Sequence, residues 1–325
     1  MQNTIEILST LGQRLRHFGC DEHTNRIIEQ AIAENSWFTR EDILRAVDAI
    51  ASKMLERHNI EKWMQSYRPT TEPKRVAVVM AGNIPLVGFF DLMCVVASGH
   101  ICCVKPSSKD RVLMEYVIDQ LRDICPDIRI EGYSSDEHYD MAIATGGDDA
   151  NRYFREHFAS TPTLLRGSRH SVAVLDGRES AEELRALCTD ITAYSSLGCR
   201  SVAMIFVPRH FRIDVPQCRA ANPKQQRNIA SQRALLAMRG VEFTDAGGFL
   251  IVEGDSFSQS TAIVTRREYC DFGEVVAWLD QHRNEIQCVV SHAPIEGCVA
   301  FGEAQYPTLK DYADGVDTMS YLLNS

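Results

Sequence analysis

Short apolar runs alternate with helical patterns between residues 75 and 145. The strand-like runs cover residues 76–80, 101–104, 128–131 and 141–144, and the helical patterns cover residues 86–97 and 110–124. Repeated strand–helix units at this spacing predict a parallel sheet with helices on its faces. Such sheets bind ligands beyond the carboxyl ends of their strands. We therefore expect an α/β fold with a binding site at that edge.

Three of the predicted strand ends carry distinctive turns. Their sequences are AGNIP at 81–85, KPSSK at 105–109 and TGGDD at 145–149. Glycines at a strand-to-helix turn let backbone N–H groups approach an anion, and a lysine at a neighbouring strand end adds a point charge. This combination suits a dinucleotide. The GxGxxG fingerprint is absent, so an ordinary Rossmann motif is excluded.

Cys199 is predicted to lie in a tight loop between a helix and a core strand. Residues 179–194 have apolar residues at helical spacing, and the apolar run 202–207 is closed by Pro208. We expect Gly198 to let the loop turn sharply and to leave space beside the thiol. Most cysteines are small buried hydrophobes, and this chain has eleven. The loop position favours a nucleophile more than the positions of other cysteines do, but position alone does not decide between the two interpretations.

The remaining pattern predicts four segments. Residues 1–70 are helical and pack on the cofactor domain; one helix begins at Thr39, and Asn59 caps the next. Residues 71–166 form the dinucleotide-binding domain, residues 167–300 form the catalytic domain with the cysteine loop, and residues 301–325 form a tail that returns to the domain interface.

Charge and composition exclude several classes of partner. The chain has 34 basic and 44 acidic residues, a net charge of −10, which argues against nucleic acid or an anionic membrane surface. The N-terminus lacks a signal-peptide pattern, and Gly and Pro interrupt the apolar run 75–105, so no membrane span is expected. Eleven cysteines without a CxxC pair favour a reducing cytoplasm.

In this order, the motifs resemble the aldehyde dehydrogenase superfamily, and specifically its acyl-CoA reductase branch, which includes the fatty-acid reductase of bacterial luminescence. The resemblance is carried by residues 35–39, 76–88, 105–109, 144–154, 197–208 and 301–318. It implies a Rossmann-like parallel-sheet cofactor domain and a second α/β catalytic domain.

The resemblance also implies roles for two reactive groups. Cys199 matches the catalytic thiol, which becomes acylated by the substrate. Asn83 matches the asparagine whose side-chain amide donates to the developing oxyanion, together with the backbone N–H of Cys199. Each such donor lowers the barrier by about 3–4 kcal/mol.

The cofactor residues follow in the same way from the resemblance. Lys105 matches the lysine that holds the adenosine ribose, with Ser107 beside it. Thr145, Gly146 and Gly147 match the turn next to the pyrophosphate. Glu268 resembles the glutamate that binds the nicotinamide ribose, although a solvated surface glutamate fits that position equally well.

Two departures from the family pattern define the expected chemistry. Relatives that prefer NAD often place a glutamate at the position of Ser108, and here Lys109 follows it; a cation in place of a carboxylate favours the 2′-phosphate of NADPH. Leu165 occupies the position of the general base, and residues 162–175 contain no Asp or Glu. The acyl-enzyme should therefore resist hydrolysis and be reduced instead.

We therefore expect NADPH-dependent reduction of an acyl-CoA or acyl carrier protein thioester to an aldehyde. Two alternatives stay open: an aldehyde dehydrogenase working oxidatively, and a non-catalytic relative that binds nucleotide or acyl groups. How Cys199 is activated also stays open, because His170 and Arg200 are the neighbouring candidates and neither is favoured. The Asp314–Gly315 turn is expected to pack rather than to close the cleft. Self-association into a homo-oligomer is undecided.

Overall fold

The computed structural model describes residues 2–211, 213 and 215–324, apart from the side chains of Gln2 and Asp148. The chain divides into two compact units. Unit 1 comprises Met1–Ser168 and Tyr306–Ser325, and unit 2 comprises Arg169–Gln305. Residues 1–70, for which a separate segment was predicted, therefore belong to the same unit as the first sheet.

The first part of unit 1 is helical, as predicted. It contains α1 (Gln2–Leu15), α2 (Glu22–Glu34), α3 (Arg40–Ala49), a π-helical turn (Ile50–Met54) and α4 (Arg57–Met64). Thr39 caps α3 by accepting from the N–H of Asp42, which confirms that helix start. The predicted cap at Asn59 is wrong: α4 already begins after Glu56, which is extended, and Asn59 donates instead to the carbonyl of Lys53 at 2.9 Å.

The sheet of unit 1 has five parallel strands. They are β1 (Arg75–Val79), β2 (Ile101–Lys105), β3 (Ile130–Gly132), β4 (Met141–Thr145) and β5 (Thr163–Arg166), in the order β3-β2-β1-β4-β5. The connecting helices are α5 (Phe89–Ser98), α6 (Arg111–Ile124) and α7 (Asp148–His157). The four predicted strands and the parallel sheet are confirmed. The fifth strand lacks a recognisable pattern because it has only four residues.

The C-terminal residues pack within unit 1. Met319 and Leu322 of the last helix of the chain (Thr318–Asn324) are buried in the same apolar cluster as Phe89. Arg166 is buried and pairs with Asp91 at 2.7 Å. The same guanidinium donates to the carbonyl of Ala313 and to the hydroxyl of Thr318, each at 2.8 Å. These contacts support a packing role for the turn that contains Asp314.

Unit 2 contains a six-stranded sheet. Its strands are β6 (His170–Val174), β7 (Val202–Pro208), β8 (Thr244–Asp245), β9 (Leu250–Glu253), β10 (Ile263–Tyr269) and β11 (Ile286–Val290), in the order β11-β6-β7-β10-β9-β8. All neighbours are parallel except β8 and β9. The helices are α8 (Ala181–Thr192), α9 (Pro223–Met238) and α10 (Phe272–Gln281).

Helix α8 and strand β7 confirm the elements predicted on either side of Cys199. A capping box formed by Ser180 and Glu183 starts α8. Leu184, Leu187 and Ile191 of α8 are buried against the sheet. Within the part of the chain that the structure covers, no helix is long and apolar enough to cross a membrane.

Candidate active site

Three strand ends of unit 1 meet at one edge of the sheet. Strand β1 lies between β2 and β4, and Val79 at its end pairs with Lys105 on one side and Ala144 on the other. The ends of these strands and the turns that follow them carry the predicted residues Asn83, Lys105, Ser107, Ser108, Lys109, Thr145, Gly146 and Gly147. Since β1 is where the strand order reverses, this edge is the usual ligand position of such a sheet.

The turn after β1 presents Asn83 to solvent. Gly82 is buried, and a Cβ there would lie 2.5 Å from the Oγ of Ser107, so only glycine lets the two turns pack this closely. Leu86, three residues after Asn83, has a left-handed backbone with φ of 56°. A branched residue adopts this conformation only when surrounding contacts enforce it.

Two buried polar side chains hold this turn. The amide of Asn35 donates to the carbonyls of Gly82 at 3.4 Å and Lys109 at 3.1 Å, so it joins the two turns. The carboxyl of Asp110 accepts from the N–H of Leu86 at 2.8 Å. Burial raises the pKa of the Asp110 carboxyl well above its ordinary value, which favours its neutral form.

The same edge has features that fit a dinucleotide. Gly147 begins α7, no described side chain caps that helix start, and a Cβ on Gly147 would meet nothing within 4 Å. The N–H groups of the first turn can therefore receive a phosphate. Lys105 is exposed, with its Nζ 5.3 Å from the ring centre of Tyr133. Ser108 and Lys109 are exposed beside it.

The connection that carries Cys199 in unit 2 has an unusual backbone. Tyr194, Ser195 and Ser196 all adopt left-handed conformations, with φ of 55°, 56° and 59°. Each such residue costs roughly 1–2 kcal/mol, so the surroundings must compensate. The sequence predicts the sharp turn at Gly198. The structure instead has the left-handed residues at Tyr194, Ser195 and Ser196, which precede Gly198.

A hydrogen-bonded turn then places Cys199 at a corner. The N–H of Ser201 donates to the carbonyl of Gly198 at 3.0 Å, so Cys199 and Arg200 are its central residues. The hydroxyl of Ser171 donates to the carbonyl of Cys199 at 2.8 Å. The thiol residue is half-buried. We call residues 198–201 the Cys199 turn.

Arg200 and His170, the two candidates for activating the Cys199 thiol, both contact other residues. The Nε of Arg200 donates to the carbonyl of Ala304, and its Nη2 lies 3.4 Å from the Sγ of Cys288. The ring of His170 stacks on Phe257 with 4.2 Å between ring centres. Burial lowers the pKa of His170, so its neutral form is favoured.

The structure separates Glu268 from Cys199. Glu268 pairs in register with Val207 near the carboxyl end of β7, whereas the Cys199 turn precedes Val202 at the amino end. Five residues of strand separate these levels by about 17 Å. Glu268 is exposed, lies 2.9 Å from Arg266, and borders a cavity of about 670 Å³. The role of Glu268 toward a nicotinamide ribose therefore stays a prediction.

Sequence patterns missed the residues that hold these turns. Asp190 is fully buried on α8, and the detectable signal was a carboxylate on an otherwise apolar helix face. Asn35 opens the segment that resembles the family, but its contacts lie 47 and 74 residues away. Nothing in the local sequence of Ser171 or Asp110 indicates their partners.

The fold of the chain is that of the aldehyde dehydrogenases. A putative aldehyde dehydrogenase from Burkholderia cenocepacia matches with a TM-score of 0.62 at 15% identity, covering 89% of this chain and 73% of that one. Aldehyde dehydrogenase 21 from Physcomitrella patens, solved with succinate, matches with a TM-score of 0.65 at 13% identity, covering 99% and 83%.

The sequence comparison narrows this class further. The family model described as acyl-CoA reductase (LuxC) matches residues 14–221, more than half of the chain, and the chain belongs to that family. A long-chain acyl-protein thioester reductase 2 from Photobacterium leiognathi is 23% identical over 49% of this chain and 38% of its own length. A long-chain acyl-protein thioester reductase from Photorhabdus laumondii is 22% identical over 63% and 50%. The chain thus spans about half the length of such relatives or less.

Proposed function

We propose that this chain reduces an acyl thioester to an aldehyde through an acyl group on Cys199. The observation that carries the proposal is the Cys199 turn, which places a half-buried thiol at a corner fixed through Ser171 and Arg200. Membership of the acyl-CoA reductase family supports the same assignment. The acyl donor is an acyl-CoA or an acyl-protein thioester.

In this mechanism the Cys199 thiolate attacks the thioester carbonyl. A carbon–sulfur bond forms to Cys199, the bond to the donor sulfur breaks, and the departing thiolate takes up a proton. The side-chain amide of Asn83 is proposed to donate to the oxyanion, a role that suits a preorganised amide. The contacts of Asn35 and Asp110 fix the turn that presents this amide.

The cofactor proposal assigns the edge of the unit 1 sheet to NADPH. The N–H groups at Gly147 would hold the pyrophosphate, Lys105 the adenosine ribose, and Ser108 with Lys109 the 2′-phosphate. When bound, NADPH supplies the hydride that the acyl group needs to leave as an aldehyde. Leu165 lies in β5 and offers no base for hydrolysis, which favours reduction over oxidation.

Intact-mass measurement tests this proposal. The protein is incubated without NADPH with acyl-CoAs of several chain lengths and with an acyl carrier protein thioester. We expect a mass gain of one acyl group at Cys199, which NADPH removes faster than NADH does. Cys199→Ala should abolish the adduct, whereas Cys270→Ala, which removes an exposed thiol of the same unit, should retain it.

Other outcomes identify the alternatives. An adduct that water removes without a reduced cofactor would identify hydrolytic or oxidative chemistry. Binding of NADPH without an adduct from either donor would identify a non-catalytic relative. Turnover by Cys199→Ala would refute the covalent mechanism.

A further inference from the structure

Asp190 is a fully buried carboxyl on the helix that leads to the Cys199 turn. Its side chain lies on the face of α8 that also buries Leu187 and Ile191. A carboxylate in such surroundings loses its hydration and must be compensated by hydrogen bonds. Its partners therefore define what it does.

The partners are two backbone N–H groups of one short segment. One oxygen of Asp190 accepts from Gly302 at 2.6 Å, and the other accepts from Ala304 at 3.1 Å. Gly302 has a left-handed φ of 88°, and Ala304 is fully buried. The carboxylate thus fixes residues 302–304, which we call the brace segment.

The brace segment in turn holds the Cys199 turn. The carbonyl of Ala304 accepts from Arg200, which directly follows Cys199. The N–H of Ala304 is bound to Asp190, so both polar groups of this residue are used. Ser171 also holds the turn, through the carbonyl of Cys199. Loosening the brace segment would weaken the hydrogen bond that Arg200 makes to it.

We propose that Asp190 is a positioning residue for Cys199: its ionised carboxylate holds the brace segment, and the brace segment holds Arg200 and the Cys199 turn in the conformation that becomes acylated. This inference rests on the proposed role of Cys199 as the nucleophile. The ionised carboxylate accepts strongly through both oxygens, whereas protonation turns one oxygen into a hydroxyl that donates and is a weaker acceptor.

Burial and the groups around Asp190 bring its pKa near neutrality. Burial is the largest cause and raises its pKa, the two N–H groups and Arg200 lower it, Glu303 raises it, and the net pKa is about 7. Below that pH one of the two hydrogen bonds to the brace segment is weakened. Acylation of Cys199 should therefore weaken in acid for a reason separate from deprotonation of the thiol.

The test measures the acylation rate of Cys199 by peptide mass spectrometry across pH 5.5 to 9, with acyl-CoA and without NADPH. Asp190→Asn should slow acylation roughly 10- to 100-fold at pH 8, as expected for a displaced nucleophile, and should remove the acid limb near pH 7. Exposed Glu303→Gln should move that limb to lower pH. Glu296→Gln, which changes the same charge at another exposed position of unit 2, should leave the limb unchanged.

Hydrogen exchange supplies a readout that does not depend on acylation. After correction for intrinsic exchange, protection of the Gly302 and Ala304 amides should fall as pH drops through the same range, and should be low at all pH values in Asp190→Asn. A Glu303→Gln profile equal to the parent, or full protection in acid, would overturn the inference. Protection that follows the expected pattern in a protein that no donor acylates would instead overturn the proposed function.

Discussion

The turn that carries Asn83 and the turn that carries Cys199 are held by different kinds of groups. Neutral groups hold the Asn83 turn: the amide of Asn35 and the buried carboxyl of Asp110, whose raised pKa favours the protonated form. Arg200 and the ionised Asp190 behind it hold the Cys199 turn. The conformation of the Asn83 turn should therefore not depend on pH near neutrality, whereas the conformation of the Cys199 turn should change with pH in that range.

The largest expected effect comes from placing a charge where the first turn uses a neutral group. Asn35→Asp would point a carboxylate at the carbonyls of Gly82 and Lys109. Because no donor remains for those contacts, we expect a loss of about 3 kcal/mol in the free energy of unfolding of unit 1. Hydrogen exchange at residues 81–86 at pH 7 measures it.

The matched control for that change is Asn25→Asp. The side-chain oxygen of Asn25 accepts from Arg40 at 2.7 Å, so a carboxylate is tolerated there. A destabilisation as large as that of Asn35→Asp would show that the effect comes from the charge of unit 1 and is unrelated to the Asn83 turn.

The next effect concerns the protonation of Asp110. Asp110→Asn keeps an oxygen for the N–H of Leu86 and mimics the neutral acid. We therefore expect it to lower the free energy of unfolding by less than about 1 kcal/mol at pH 7. Asp110→Ala leaves that buried N–H without its acceptor and should cost about 2 kcal/mol. Thermal unfolding of the two variants compares them. Equal losses would mean that the wild-type group is ionised, which removes the contrast between the turns.

Local sequence patterns predicted much of the framework on which this contrast is built. The alternating elements from residue 75 to 145 and the helix and strand around Cys199 were predictable because periodicity reports burial within each element. Strand β10 was missed because Arg266, Arg267 and Glu268 interrupt its apolar pattern. The local match at Glu268 likewise did not show which edge of the sheet this residue occupies.

The contacts that hold the two turns could not be predicted in this way. Asp190 reaches its partners across 112 and 114 residues, and Asn35 reaches Gly82 across 47. Spacing along the chain carries no information on such pairs. The left-handed residues 194–196 are equally invisible, because Tyr and Ser have no preference for that conformation.

A substitution of His292 is expected to have a smaller effect. It shows whether the loss of acylation rate in acid arises at the Cys199 turn or from the whole of α8. At the other end of α8, His292 lies 2.9 Å from both Glu183 and Asp176, and hydrogen bonds to these carboxylates raise its pKa. Its contribution to stability is therefore full below about pH 6.5, the ordinary value, and is lost as pH rises through the raised one. His292→Gln should lower the free energy of unfolding of unit 2 by about 1 kcal/mol at pH 5.5 and should change it little at pH 9.

Chemical denaturation of the His292→Gln protein at the two pH values measures this difference. His292 strengthens unit 2 in acid, whereas protonation of Asp190 loosens the brace segment in acid, so the two ends of α8 respond in opposite directions. A variant that also abolished the acid limb of Cys199 acylation would place the sensitivity in the helix as a whole.

The smallest expected effect concerns backbone strain, which the two turns store in different ways. Leu86 in the Asn83 turn is left-handed but buried, so exchanging it for glycine would lose packing and mask any relief. Ser195 carries little side chain, and glycine adopts its φ of 56° freely. Glycine removes the backbone strain of the folded state but also increases the conformational entropy of the unfolded chain, which opposes folding. Because the first effect is slightly larger, Ser195→Gly should raise the free energy of unfolding of unit 2 by up to about 1 kcal/mol. The same substitution should slow acylation of Cys199, because a more flexible connection holds the thiol less firmly. Thermal unfolding measures the change in stability, and single-turnover acylation measures the change in rate. Faster acylation in the more stable protein would mean that the left-handed residues only join α8 to the turn and do not help to position it.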